Sequence, residues 1–284
     1  MRRAAALAAG LLALAGPARA VCDLSPEPCT LEAGADGGSY HLRLPEVPKG
    51  APAVIFLHGY GGSGGATIGN RRIVAPLLAR GHAVIAPNGI PQRADGPPGW
   101  GFFPGRQARD ERAFLTGVAD DAARRFGLDR KRMLLAGFSS GGFMVTYLAC
   151  EAPGSFAAFA PVAGGFWRPH PEACAGPVNL FHTHGWTDTV VPLEGRPLGG
   201  GRYRQGDIFA GLELFRAANG CTGHRPDAIE ADGPTWRRVW TGCGTGGALE
   251  LALFPGGHTV PEDWGDRTLD WFETVLDGGS GAGD

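Results

Sequence analysis

Short runs of apolar residues, each about one strand long, recur along this chain and limit its fold more than any other feature. They are YHLRL, AVIFLHG, HAVIAPN, RMLLAGF, FAAFAPVAG, VNLFHTHG and LELALFPGG. A strand wetted on one side alternates apolar and polar residues, whereas one buried on both faces has no reason to, and several of these runs are apolar throughout. Helical spacing fits 70–80, 110–126, 141–150, 207–219 and 266–277. Residues 110–126 put Phe114, Leu115, Val118, Ala122 and Phe126 on one side, with Asp110 and Glu111 at the positive end of the helix dipole. Strands alternating with helices of this length predict a mostly parallel central sheet with helices on both faces.

Glycine and proline together supply 48 plus 23, or 71, of the 284 residues, a fraction at which disorder must be weighed. Disorder does not fit a chain with 43% hydrophobic residues, seven Trp and fifteen Phe, whose glycines follow no period. No linker or charge block divides it, so one catalytic-size domain is expected over 21–277, with a flexible tail over 278–284. The first twenty residues have the pattern of a secretory signal peptide: a basic MRR, an apolar stretch too short to cross a bilayer, and an A-x-A cleavage site at Ala20. Val21 before Cys22 makes a poor lipoprotein box, so a secreted product, extracellular or periplasmic and without membrane attachment after cleavage, is expected. Removing Arg2, Arg3 and Arg19 leaves 23 basic against 28 acidic residues, which argues against nucleic acid as a partner.

Export makes disulfides the expected state of the six cysteines, although six allow fifteen connectivities. Proximity in sequence suggests Cys22 with Cys29, Cys150 with Cys174 and Cys221 with Cys243; the alternative is that some are free, buried thiols. No cysteine or histidine cluster has metal-ligand spacing: His182 and His184 lie on one face of a predicted strand without a third ligand nearby, and neither metal nor cofactor is expected.

In a parallel sheet, the loops at the strand C-terminal ends carry the chemistry. GFSSG at 137–141 has the G-x-S-x-G pattern of a sharp strand-to-helix corner that exposes Ser139. HGWTDTVVP offers an acid at Asp188, and FPGGHTVP a base at His258. A serine hydroxyl becomes an effective nucleophile when an imidazole takes its proton, and a carboxylate then fixes the tautomer and stabilises the imidazolium. Each residue also has an ordinary structural reading: Ser139 as a helix N-cap, Asp188 as an Asx-turn residue, and His258 as one of eight histidines, competing with His58, His82, His170, His182, His184 and His224 among others. Three independent loops delivering the set in one order favour the catalytic reading. HGYGG at 58–62 can supply one oxyanion donor, the N–H of Tyr60, beside that of Ser140; it lacks the G-K-[ST] ending of a phosphate loop.

LHGYGGS, GFSSGGFM followed by YLACEAPGSFAAFAPVAG, HGWTDTVVP, NGCTG with a later WTGC, and GGHTVPEDW together resemble, over nearly the whole chain after residue 20, secreted esterases of the polyhydroxybutyrate depolymerase and bacterial feruloyl esterase group. The resemblance implies an α/β-hydrolase fold and a cofactor-free carboxylic ester hydrolase with Ser139, Asp188 and His258 as triad and Tyr60 at the oxyanion hole. It also supports pairing Cys221 with Cys243. PGGHTVP departs from the group's usual surroundings of the histidine, and no polymer-binding module follows, which weakens the case for an insoluble polyester.

Aromatic residues on loops near the active end, Trp100, Phe102, Phe103, Trp186 and Trp264, are candidates to stack on a phenolic acyl group or a sugar ring, the alternative being that they cover the core edge. The expected partners are small or polymeric esters, from feruloyl and acetyl groups of plant cell walls to polyester oligomers. A peptidase or acyltransferase would use the same three residues, and a non-catalytic binding module would be expected to lack one of them.

Overall fold

The computed structural model describes residues 22, 27–31, 37–103, 105, 108–223, 225–244 and 246–279. The segment 1–20 expected as a signal peptide and the tail from 280 lie outside the described residues, as does His224. The strands in chain order are β1 (Cys29–Leu31), β2 (Gly38–Arg43), β3 (Ala53–Leu57), β4 (Ala83–Pro87), β5 (Ile90–Pro91), β6 (Pro98–Gly99), β7 (Met133–Phe138), β8 (Ala158–Val162), β9 (Leu180–Gly185), β10 (Pro197–Leu198), β11 (Tyr203–Arg204), β12 (Ala228–Asp232), β13 (Thr235–Trp240) and β14 (Leu249–Phe254). The α-helices are α1 (Gly64–Gly69), α2 (Arg71–Ala79), α3 (Glu111–Phe126), α4 (Ser140–Glu151), α5 (Ile208–Ala218) and α6 (Trp264–Gly279).

Ten strands form one sheet in the order β1-β2-β4-β3-β7-β8-β9-β14-β13-β12. The six central strands, β4 to β14, are parallel, and antiparallel strands extend both edges. β5–β6 and β10–β11 are separate two-stranded ribbons.

The uniformly apolar strands serve two cores at once. Ile55, Leu57, Ile85, Leu135 and Phe159 point into one, beneath α3, α4 and α5; their neighbours Val54, Phe56, Val84, Leu134 and Ala160 point into the other, beneath α2 and α6. Fully burying one such side chain contributes about 1.5–3 kcal/mol, so both faces hold the sheet in place. Helix α3 buries Phe114, Leu115, Val118 and Ala122; Asp110 caps it by accepting from Ala113 N–H at 2.9 Å, and Gly127 ends it in the left-handed conformation. Glu111 does more than meet the helix dipole, since it is buried and pairs with Arg109 at 2.7 Å.

All six cysteines are bridged, Cys22–Cys29, Cys150–Cys174 and Cys221–Cys243. No helix among the described residues is long and apolar enough to cross a membrane.

Candidate active site

Ser139 sits between the last residue of β7 and the first of α4, with φ 55° and ψ −114°, a conformation that costs a non-glycine residue about 1–3 kcal/mol. The surroundings hold it there: its N–H donates to Val162 O at 2.9 Å, and Phe143 N–H donates to its carbonyl at 2.9 Å. Close approach explains the flanking glycines. A Cβ on Gly141 would lie 2.4 Å from Leu57 O, and one on Gly137 2.7 Å from the Gly141 backbone. Ser139 does occupy the N-cap position of α4, but its side chain makes no capping hydrogen bond. Its Oγ lies instead 2.9 Å from His258 Nε2.

The other face of the imidazole, Nδ1, is 2.7 Å from Asp188 Oδ2. A carboxylate oxygen accepts, so Nδ1 carries the proton and Nε2 is left as the acceptor for the serine hydroxyl. The second oxygen of Asp188, Oδ1, accepts from Val190 N–H at 2.9 Å and Val191 N–H at 2.8 Å in a local turn, so the residue faces His258 and closes the turn at the same time. The loops carrying Asp188 and His258 are tied by backbone: Trp186 N–H donates to Phe254 O and Thr187 N–H to Gly256 O, both at 3.0 Å.

His58, His182 and His184 are engaged elsewhere. His58 donates from Nδ1 to Gly59 O at 2.7 Å and accepts at Nε2 from Gly89 N–H at 2.9 Å, bracing the loop that carries Tyr60. His184 donates from Nε2 to Val191 O at 2.7 Å, which leaves its Nδ1 to accept from His182 Nε2 at 3.0 Å. Among the described residues no group of three or more His, Cys, Asp or Glu side chains is placed to hold a metal ion.

Burial pushes the His58, His82, His182 and His184 rings below the ordinary histidine value of 6.5; for His184 it outweighs the opposing pulls of the Val191 carbonyl and Asp188. As pH falls below this value the unfolded chain takes up protons that the folded rings refuse, so the stability these rings contribute above it is progressively lost. The unfolding temperature is therefore expected to fall as pH is lowered from about 7.5 to about 5. Thermal denaturation across that range checks it, and an unfolding temperature that holds or rises contradicts it.

The N–H groups of Tyr60 and Ser140 have no hydrogen-bond partner among the described residues. Gly61 N–H donates to Pro98 O at 2.8 Å and Gly62 N–H to Gly59 O at 3.0 Å, which fixes the turn between them. A Cβ on Gly59 would come 3.5 Å from Ser139 Cβ, so this loop runs directly over the serine.

A cavity of about 690 Å³ opens beside Ser139 and Ser140, with Tyr60, Trp100, Phe102, Phe103, Phe143 and Trp167 in its walls. Of the three tryptophans singled out from the sequence, Trp100 is here, its Nε1–H donating to His58 O at 2.8 Å. Trp264 is not a cavity wall: it opens helix α6, is 1% exposed, and packs edge-on against Phe56 at 5.1 Å, lining a smaller groove behind His258. Trp186 does not line the cavity either; it is 41% exposed and packs edge-on against Trp236 of β13 at 4.4 Å. Sequence reading missed Phe143, which one helical turn after Ser139 could have flagged, and Trp167, Tyr203 and Gln205, which carry no local signal.

Residues 52–190 match the family model described as the alpha/beta hydrolase fold. The chain has the α/β-hydrolase fold. It is 29% identical to feruloyl esterase C of Emericella nidulans over 239 residues, covering 78% of this chain and 77% of that one. It is also 29% identical to a poly(3-hydroxyoctanoate) depolymerase of Pseudomonas fluorescens, covering 54% and 57%. The match spans 44%, 22% and 58% of three other curated relatives, less than two thirds of the length of each. Among solved structures, an acetyl xylan esterase from Aspergillus awamori superposes with a TM-score of 0.63 at 15% identity, covering 87% of this chain and 99% of that chain.

Proposed function

We propose that this protein is a secreted serine esterase that cleaves carboxylic esters through an acyl-enzyme. The observation that carries the reading is the continuous chain from Asp188 Oδ2 to His258 Nδ1 and from His258 Nε2 to Ser139 Oγ, at 2.7 and 2.9 Å. Ser139 Oγ attacks the ester carbonyl carbon as its proton passes to His258 Nε2, and the carbonyl oxygen becomes an oxyanion facing the N–H groups of Tyr60 and Ser140. Collapse breaks the bond to the alcohol oxygen, which leaves with the proton from His258. Water then attacks the acyl-serine, gives a proton to His258, and the acid departs as Ser139 recovers its hydrogen. Asp188 holds the imidazole in the tautomer that the first step needs and stabilises it when charged.

Feruloyl-type and acetyl esters are the proposed substrates, supported by the aromatic walls beside Ser139 and by the esterase relatives. Short hydroxyalkanoate esters are the second reading, favoured by the match to the depolymerase. Three disulfides support export into an oxidising compartment. Assay of the purified protein on p-nitrophenyl acetate, methyl ferulate, acetylated xylan and emulsified polyhydroxybutyrate tests the proposal. Soluble esters should be turned over, and the rate should rise with pH as the base loses its proton, since a protonated imidazole cannot accept one. Folded protein that hydrolyses none of these esters, or works equally well at about pH 4 and about pH 8, contradicts it.

A further inference from the structure

The walls of the cavity beside Ser139 hold polar groups that the reaction does not use. Phe102 stacks on Phe143, with ring centres 5.2 Å apart and planes within 20°, and Trp167 lies 6.0 Å from each of them. Tyr203 closes against Trp167 at 5.7 Å. Such walls accept a flat apolar ring. Two buried polar atoms in this lining nevertheless lack a hydrogen-bond partner among the described residues: Nε1 of Trp167 and Oε1 of Gln205.

The two residues are neighbours by construction. Trp167 and Gln205 face each other across an antiparallel bridge, flanked by Arg168 N–H donating to Arg204 O at 2.8 Å and Gly206 N–H donating to Phe166 O at 2.7 Å. Side chains directly opposite in such a pair start about 5 Å apart, close enough for one small group to meet both. Gln205 is only 4% exposed, so its amide cannot be satisfied by bulk water as a surface glutamine would be. A buried polar group without a partner costs stability, and a ligand that supplies the partner recovers it.

We propose that Trp167 and Gln205 form a subsite that selects esters whose aromatic acyl group carries a ring hydroxyl. This rests on the esterase reading and goes beyond it, because it assigns the choice among aromatic acids to two residues outside the reacting centre. The indole N–H only donates, and the carboxamide oxygen accepts. A hydroxyl matches the pair, accepting from Trp167 and donating to Gln205. A hydrogen in its place leaves both unpaired, and a methoxyl leaves the amide unpaired. A carboxylate would meet no positive charge at this pair.

The test is kcat/KM for the methyl esters of cinnamate, 3- and 4-hydroxycinnamate and 4-methoxycinnamate, with p-nitrophenyl acetate run alongside. The protein should favour at least one hydroxycinnamate over cinnamate by about tenfold or more. The 4-methoxyl ester has nearly the same carbonyl reactivity as its hydroxyl counterpart, so a preference shared by both would be electronic. The ratio within each variant decides the assignment, since it cancels any general loss of activity: Gln205→Leu and Trp167→Phe should bring it close to one. If Gln205→Leu does not fold, Gln205→Met asks the same question. Equal rates on cinnamate and both hydroxycinnamates in the wild type, or a ratio unchanged in the folded variants, overturns the subsite while leaving the esterase standing. No turnover of any ester, p-nitrophenyl acetate included, removes the esterase and the subsite together.

Discussion

Ser139→Ala is expected to lower kcat/KM on p-nitrophenyl acetate about a thousandfold or more while leaving the unfolding temperature nearly unchanged. The hydroxyl makes one side-chain hydrogen bond, to His258, and caps no helix, so its loss removes the nucleophile and little else. The substitution keeps a non-glycine residue at positive φ, so it neither relieves nor adds strain at the corner. Activity and thermal unfolding measured on the same preparation separate the two effects. Residual activity above about one percent of wild type would mean that another group delivers the nucleophile. Asp188→Asn should also cost activity by favouring the wrong tautomer, but its effect is less clean because Oδ1 accepts two backbone N–H groups in the local turn.

Replacing Cys221 and Cys243 together by serine is expected to destabilise the fold by about 3 kcal/mol, the chain-entropy value for a closed loop of this size. The two are separated by 22 residues and meet in an isolated antiparallel bridge, with Gly244 N–H donating to Gly220 O at 3.2 Å beside them. The covalent link joins the turn after α5 to the segment that leads from β13 into β14, and β14 ends just before the loop carrying His258. For a domain of this length a loss of that size lowers the unfolding temperature by roughly 10 °C. Hydrogen exchange should show the β12–β13 edge opening before the central strands. An unchanged unfolding temperature, or quantitative alkylation of either thiol in the native protein without reductant, would contradict this role.

The central strands were legible because burial on both faces forces an apolar run, and such runs are hard to write by accident. The outer hairpin was not. In β12 and β13, AIEAD is exposed at all but its first position and TWRRVW buries only its two end residues, so neither shows the apolar run that marks the central strands, although both form an edge of the main sheet. Helix α1, GGATIG, has little intrinsic helical tendency; Ser63 starts it by accepting from Ala66 N–H at 3.1 Å, and packing against β4 supports it. Helix α6 begins two residues earlier and ends two later than the 266–277 expected, which draws Trp264 into the core and takes Gly278 and Gly279 into the helix. The three residues proposed as triad were legible because each follows a strand in the loop where chemistry collects. Trp167 and Gln205 were not, since 38 residues separate them and only the folded backbone pairs them.

The central claim is that Ser139 becomes covalently acylated, and a fluorophosphonate probe tests it most directly, because it reacts with a serine only when a neighbouring base activates that hydroxyl. Intact-mass analysis should show one adduct per chain, peptide mapping should assign it to Ser139, and His258→Ala should abolish it. Protein that hydrolyses esters yet carries no adduct, or carries it on a serine other than Ser139, would contradict the account.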